Sequence, residues 1–81
     1  MTEQEARRRA EEQRAAHQVP AGWRARAAER RWIEIASGPP GEPAPVRDLL
    51  VWVVRFAERI AWADLAVSDA TGEVVRVERS R

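Results

Sequence analysis

The segment from Leu49 to Phe56, Leu-Leu-Val-Trp-Val-Val-Arg-Phe, is apolar on both faces of the strand that it predicts. Side chains of a strand point alternately to opposite faces, so this segment requires cover on both sides. One face would carry Leu49, Val51 and Val53, and the other would carry Leu50, Trp52, Val54 and Phe56. In a chain of 81 residues, the second cover comes either from the chain folding back on itself or from a partner.

Length and composition predict a single domain over residues 1–81 that holds no metal and no cofactor. A chain this short buries roughly 60 to 65% of the surface that its unfolded form exposes, so its stability margin is thin. Cysteine is absent, which excludes disulfides and thiolate metal sites. His17 is the one histidine, which excludes a site built from several histidines.

Charge is distributed unevenly but mildly along the chain. All 14 basic residues are arginine, and 13 acidic residues nearly balance them. Residues 1–31 hold eight arginines and five glutamates, a net of +3, whereas residues 32–81 hold six arginines and eight acidic residues, a net of −2. This pattern lacks the dense basic stripe of a nucleic-acid-binding protein. The arginine-only composition is typical of a GC-rich coding sequence.

The opening of the sequence, Met-Thr-Glu-Gln-Glu-Ala-Arg-Arg-Arg, has no apolar core of signal-peptide length behind it. No apolar run is long enough to span a bilayer as a helix. We therefore expect a cytoplasmic protein that does not associate with membranes.

Residues 2 to about 18 predict a helix. Thr2 is suited to the N-cap position, and Glu5 three residues later completes a capping box. The segment Val-Pro-Ala-Gly at 19–22 disfavours continuation of the helix, because it contains both proline and glycine. Residues 1–22 are thus interpreted as an N-terminal helix and the break that ends it.

The segment after the break is ambiguous. Residues 23–31 fit both helical spacing and strand alternation, and we expect helix near Ala25–Arg30 with extended backbone from Arg31 onward. Trp32–Ala36 alternates plainly and predicts a strand. Residues 37–45 contain four prolines and two glycines, which predicts an irregular loop.

Three more strands are predicted, at about Asp48–Phe56, Ile60–Ser68 and Glu73–Glu78. The turn between the last two, Asp69–Gly72, begins with a residue that can bond to the backbone ahead and ends with one that accepts a positive φ. The connections are short enough for antiparallel pairing. The predicted fold class is α+β: the N-terminal helix packs on a four-stranded antiparallel β-meander within residues 23–81.

Three segments in the second half form one pattern. Trp52–Phe56 opens a strand with tryptophan, Ala63–Asp69 ends a strand in aspartate, and Ala70–Val77 holds the end of an Asp-x-x-Gly turn and then Gly-Glu-Val-Val. This pattern resembles the C-terminal half of the PepSY family over about 26 residues, 52–77. The resemblance implies a cystatin-like helix-plus-sheet module that restrains or binds a partner, as in protease propeptides and envelope proteins. It implies no catalytic residue. The Pro-rich loop and the absence of an export signal depart from the family pattern.

Catalytic constellations are not evident in the sequence. The serines have no nearby histidine, and Gly38-Pro-Pro-Gly41 places prolines where a phosphate loop needs backbone donors. The acidic residues near the last turn lack the alternating ligands of a calcium loop, so we interpret them as turn and solvated strand carboxylates. They are Asp64, Asp69, Glu73 and Glu78. We therefore predict that the protein is not an enzyme.

The leading hypothesis is a non-catalytic interaction module. It would form a homodimer or bind a protein partner through an apolar sheet face, because large aromatic side chains dominate interface energetics. The predicted anchors are Trp52, Phe56, Trp62, Leu50 and Val54.

The alternative hypothesis is a weak nucleic-acid-binding protein that uses the arginine-rich N-terminal region. Its contacts with phosphates would come from Arg7, Arg8, Arg14, Arg24 and Arg26. The interleaved glutamates favour a solvated helix face instead. A steep loss of affinity with rising salt would distinguish a true phosphate-binding surface.

Overall fold

A computed structural model describes residues 1–36, 38–39 and 41–80. The elements are one helix and four strands: α1 (Glu3–Gln13), β1 (Arg24–Ala36), β2 (Val46–Glu58), β3 (Ala61–Ser68) and β4 (Val74–Arg79). The strands form one antiparallel sheet in the order β1-β2-β3-β4, with α1 packed on it. The predicted α+β class is confirmed. Within the described residues, no helix has the length and apolarity needed to cross a membrane.

The helix begins as predicted and ends earlier. The Thr2 hydroxyl oxygen accepts a hydrogen bond from the Glu5 amide at 3.1 Å, which caps the first turn. After Gln13 the chain continues in tight turns, because the amides of His17 and Gln18 bond to carbonyl oxygens only three residues back. Gln18 then adopts a φ of 60°, so the helix cannot extend to the predicted end near residue 18.

The prediction of helix near Ala25–Arg30 is wrong, because that segment belongs to β1. Strand β2 is long enough to pair with the whole of it, from Arg24 opposite Ala57 to Ala36 opposite Val46. The helix propensity of alanine and arginine is a weak preference that such a ladder overrides. A register shift between residues 25 and 27 explains the ambiguous pattern, since the bulge interrupts strict alternation.

The alternation predicted for residues 49–56 is confirmed by the register. Trp52, Val54 and Phe56 lie opposite residues of β3 that share their face, and α1 packs on this helix face. The fully buried residues of this core are Ala6, Ala10, Val54, Phe56, Ala63, Leu65 and Val67. Because α1 contributes only alanines to it, the large apolar side chains come from the sheet.

Polar side chains of α1 fix the helix to the rest of the chain. Gln13 donates to the Gly72 carbonyl oxygen at 2.7 Å and accepts from the Val74 amide at 2.9 Å. At the end of the helix, the Arg14 guanidinium lies 4.5 Å from the centre of the Phe56 ring and donates to the carbonyl oxygens of Pro20 and Trp23. These bonds hold in place a helix that has little apolar surface of its own.

The other face of the sheet is concave. Arg76 of β4 donates to the Glu34 carbonyl oxygen of β1 at 2.8 Å. In a flat sheet these strands would be about 14 Å apart, beyond the reach of one arginine, so the sheet must curl toward this face. Val51, Ala66 and Ser68 are at most 4% exposed on the concave face. The chain itself therefore covers most of the β2 face that points away from α1. A partner is not needed to shield Val51 and its neighbours on that face.

The part of the β1–β2 hairpin that extends beyond β3 is called the arm: residues 31–36 and 46–50. Among the described residues, no third strand pairs with β1 or β2 here, although the Asp69 amide donates to the Leu50 carbonyl oxygen at 3.0 Å where the arm begins. Of the predicted loop 37–45 that joins them, residues 37 and 40 lie outside the described residues. The others form neither helix nor strand, as predicted.

The predicted turn at 69–72 is formed, and its glycine is required there. Gly72 has a φ of 77°, and its amide bonds to the Ser68 carbonyl oxygen at 2.8 Å. A Cβ atom at this position would meet the guanidinium of Arg9, which itself donates to the Gly72 carbonyl oxygen at 3.2 Å. The turn thus combines a left-handed backbone with close contact to α1.

We expect Gly72→Ala to lower the free energy of unfolding by about 1–3 kcal/mol, because alanine is strained at positive φ and displaces Arg9. Urea denaturation measures this loss. Gly22→Ala is the matched control, since Gly22 has open space around its Cα and no positive φ. Equal stability of the Gly72 variant and the control would contradict the assigned role of the turn.

Candidate interaction surface

Two of the five predicted anchors lie in the interior. Val54 and Phe56 are 0% exposed beneath α1, so neither can touch a partner while the helix is docked. Their prediction as contact residues is therefore wrong: both side chains pack in the core. The sequence could not distinguish these roles, because a buried core strand and an interface strand have the same pattern.

Trp62 lies on the opposite face of the sheet from Phe56, so these two predicted anchors do not form one surface. The Arg55 guanidinium stacks over the Trp62 ring at 4.3 Å and donates two hydrogen bonds to Asp64, at 2.7 and 2.9 Å. The bond to Asp64 raises the pKa of Arg55. Trp62 is therefore partly covered by its own neighbours.

Trp52 lies on the helix face, where the cover by α1 ends. Its Nε1–H donates to Asp69 Oδ1 at 3.0 Å, and the Arg30 guanidinium lies 5.9 Å from the ring centre. The hydrogen bond from Trp52 is the main cause that lowers the pKa of Asp69, and the N-terminal ammonium and Arg30 act in the same direction. Trp52 is thus half-buried and orients a carboxylate beside the arm.

The most exposed tryptophan of the described residues is Trp32, which was not among the predicted anchors. Trp32 is 67% exposed, and Val46 nearby on the arm is 61% exposed. Leu50, a predicted anchor, pairs directly with Trp32 and is half-buried. Trp32 and Leu50 form what we call the outer patch, on the helix face of the arm but beyond the helix. Val46 shares this face but lies on the far side of the Glu34–Asp48 pair.

A sequence signal for the outer patch does exist. In the alternating segment 32–36, Ile33 and Ile35 share one face, which leaves Trp32 on the other. A strand with isoleucines on one face and an aromatic on the other repeats the two-sided pattern of its neighbour. This pattern indicates exposed apolar surface on the face of the hairpin opposite Ile33 and Ile35.

Charged residues border the outer patch on two sides. The pair next to Trp32–Leu50 toward the helix is Arg30 opposite Trp52, and the pair toward the tip is Glu34 opposite Asp48. All three charged residues are exposed. The patch therefore has a cationic border and an anionic border, each about 7 Å from the apolar pair.

The concave face holds a cavity of about 50 Å³. It is bordered by Arg31, Ile33, Val53, Asp64, Ala66, Arg76 and Glu78. A second, more open hollow of about 270 Å³ adjoins it and shares Arg31, Val53 and Asp64. Pockets for small molecules usually measure about 300–1,000 Å³, so each hollow taken alone lies below that range. Among the described residues, no group of three or more histidine and acidic side chains could hold a metal ion.

The five arginines predicted for nucleic-acid contact do not form one free cationic surface. Arg7 pairs with Glu3 at 3.2 Å and Arg8 pairs with Glu12 at 3.7 Å. The Arg14 side chain is only 13% exposed and is bound within the fold. Arg24 and Arg26 are exposed but lie on β1, away from the outer face of α1.

Comparisons with protein-family models, with curated proteins and with solved structures find no significant match to this chain. The PepSY resemblance stays a prediction from the pattern at residues 52–77.

We expect Trp52→Phe to raise the pKa of Asp69 toward its ordinary value of about 3.9, because phenylalanine cannot donate a hydrogen bond. A lowered pKa in the folded protein means that ionised Asp69 stabilises the fold above about pH 4. This contribution is lost as the pH falls through the folded-state pKa. The stability difference between the native chain and the variant should therefore shrink in acid.

An NMR titration of the Asp69 carboxyl carbon measures the pKa directly. Trp62→Phe is the control, since Trp62 lies on the opposite face and should leave Asp69 unchanged. An Asp69 titration that is the same in the native chain and in Trp52→Phe would refute the assignment.

Proposed function

We propose that this protein is a non-catalytic, cytoplasmic interaction module that binds a protein partner through the outer patch of the arm. The observation that carries this proposal is Trp32, a tryptophan in a regular strand with two thirds of its surface in contact with solvent. Tryptophan is among the residues most enriched at the energetic centres of interfaces. With one third of its surface covered, Trp32 contributes less to the packing of the described residues than the fully buried side chains of the core do.

The surroundings of Trp32 support an interface rather than an isolated apolar side chain. Leu50 beside it extends the apolar surface, and Arg30 and Asp48 border it. Interfaces commonly combine an apolar centre with a polar rim. Burial of each large side chain would contribute roughly 1.5 to 3 kcal/mol. Trp52 lies at the rim of this surface, while Leu50 is the predicted anchor that belongs to its centre.

The arm suits this role mechanically. It is a two-stranded extension of a sheet that is packed by α1 on one side and closed by its own curl on the other. Side chains on regular strands are held more precisely than those on loops. The partner would therefore meet a surface that needs little ordering when it binds.

Replacing Trp32 with the photoreactive residue p-benzoylphenylalanine tests the proposal. After irradiation in cells, we expect an adduct between this chain and one defined polypeptide, which purified components should then reproduce. The control places the same residue at Ile60, which is 95% exposed at the β2–β3 turn. No adduct at position 32, or the same set of adducts at both positions, would refute the outer patch as a docking surface.

A further inference from the structure

We propose that the occupant of the outer patch is a second copy of this chain, so that two arms pack face to face about a twofold axis. This inference rests on the proposed function and specifies its partner. It is carried by the order of charges along the helix face of the β1–β2 hairpin. The positive end of this face in one copy can lie against the negative end in another.

The relevant residues form three successive cross-strand pairs on one face. Arg30 lies opposite Trp52, Trp32 lies opposite Leu50, and Glu34 lies opposite Asp48. Directly opposed residues in antiparallel strands point to the same side of the sheet, so these pairs form a band about 14 Å long. The band is cationic at one end, apolar in the middle and anionic at the other end.

When the strands of the two copies are aligned, two twofold axes can pack this band against a copy of itself with the faces in contact. If the axis runs along the strands, Glu34 of one copy meets Asp48 of the other, and carboxylates oppose carboxylates. If the axis runs along the Trp32–Leu50 pair, each Arg30 meets Glu34 of the other copy and the two Trp32 rings meet at the centre. Like charges are strongly disfavoured in an interface, so the charge pattern selects the second arrangement.

The face of the arm is a better contact than the free edge of β1. Strand β1 is an edge strand, and such edges can pair with another chain. However, Arg76 reaches across from β4 and bonds to the Glu34 carbonyl oxygen, so its side chain lies against β1 at that point. Within the described parts of the chain, no side-chain hydrogen bond ties another strand across Trp32 or Leu50 in this way, and the sheet curls toward the opposite face.

The predicted contact is small, so the association should be weak and dependent on concentration. Interfaces that bury less than about 1,200 Å² in total are typically transient. The apolar centre of the contact is a single cross-strand pair, Trp32 and Leu50, with one pair that carries charge on either side. We therefore expect monomers at micromolar concentrations and dimers as the concentration approaches millimolar.

Sedimentation equilibrium over this range of concentrations tests the proposal on the full chain. The mass should rise from that of the monomer, 9.2 kDa, to twice that value. Trp32→Ala should remain monomeric over the whole range. Ile60→Ser should dimerise like the native chain, since it removes an apolar side chain that is even more exposed than Trp32 but lies outside the arm. A native chain that stays monomeric at every concentration overturns the inference.

Charge exchange tests the arrangement itself. Arg30→Glu and Glu34→Arg should each weaken dimerisation by about tenfold or more, because each places like charges opposite one another. The double variant Arg30→Glu/Glu34→Arg restores opposite charges across the axis, so its dimerisation should return to within about threefold of the native chain. Circular dichroism and thermal unfolding verify that each variant is folded before its mass is compared.

The outcomes separate this inference from the function on which it rests. The proposed axis is overturned if the single exchanges do not weaken dimerisation. It is also overturned if the double exchange does not restore dimerisation. Another outcome is a chain that stays monomeric and still forms one defined adduct from position 32 with a different polypeptide. That result overturns self-association, while the proposed function stands. No adduct from position 32 and no dimer overturns both.

Discussion

The structure depends on the cover given to the two apolar faces of β2. On the helix face, α1 closes over Val54 and Phe56, which have no exposed surface. On the concave face, the curl that brings β1 to Arg76 shields Val51 and its neighbours. Of β2, only Trp52, Val54 and Phe56 belong to the core that α1 covers. The outer face of the arm lies beyond that core. The strands β1 and β2 have 13 residues each, whereas β3 has 8 and β4 has 6. Trp32 is exposed because it lies in the part of the hairpin that extends beyond the shorter strands.

The small apolar contribution of α1 explains why so many polar bonds hold it. Alanine side chains allow the helix to approach the sheet closely, but they bury little area. Gln13 and Arg9 therefore bond to the turn at residues 71–73, and Arg14 bonds to the chain that leads into β1. Arginine is suited to such bonds, since its planar group donates in several directions at once. Part of the arginine content that suggested nucleic-acid binding is thus structural.

The sequence was sufficient for the fold class, the order of the elements, both faces of β2 and the turn at Gly72, because these depend on local alternation and turn chemistry. It failed at Ala25–Arg30, where pairing with a long neighbour overrides the preference of alanine for helix. It also failed to separate buried Phe56 from exposed Trp32, since exposure depends on where α1 ends relative to the sheet. No local pattern encodes that position. Leu50 lies just beyond that limit and is half-buried, and its role as an anchor stays a prediction.

The bond between Gln13 and Val74 has a consequence for how the chain folds. Each strand pairs with the next one along the chain, so the sheet can grow through short connections. The helix is fixed to the sheet by groups that are 61 positions apart in the sequence. Closing so long a loop costs more entropy than forming a hairpin, and contacts of long range are gained late. We therefore expect the hairpins to form first and the helix to dock last, which leaves Phe56 open to water during the intermediate period.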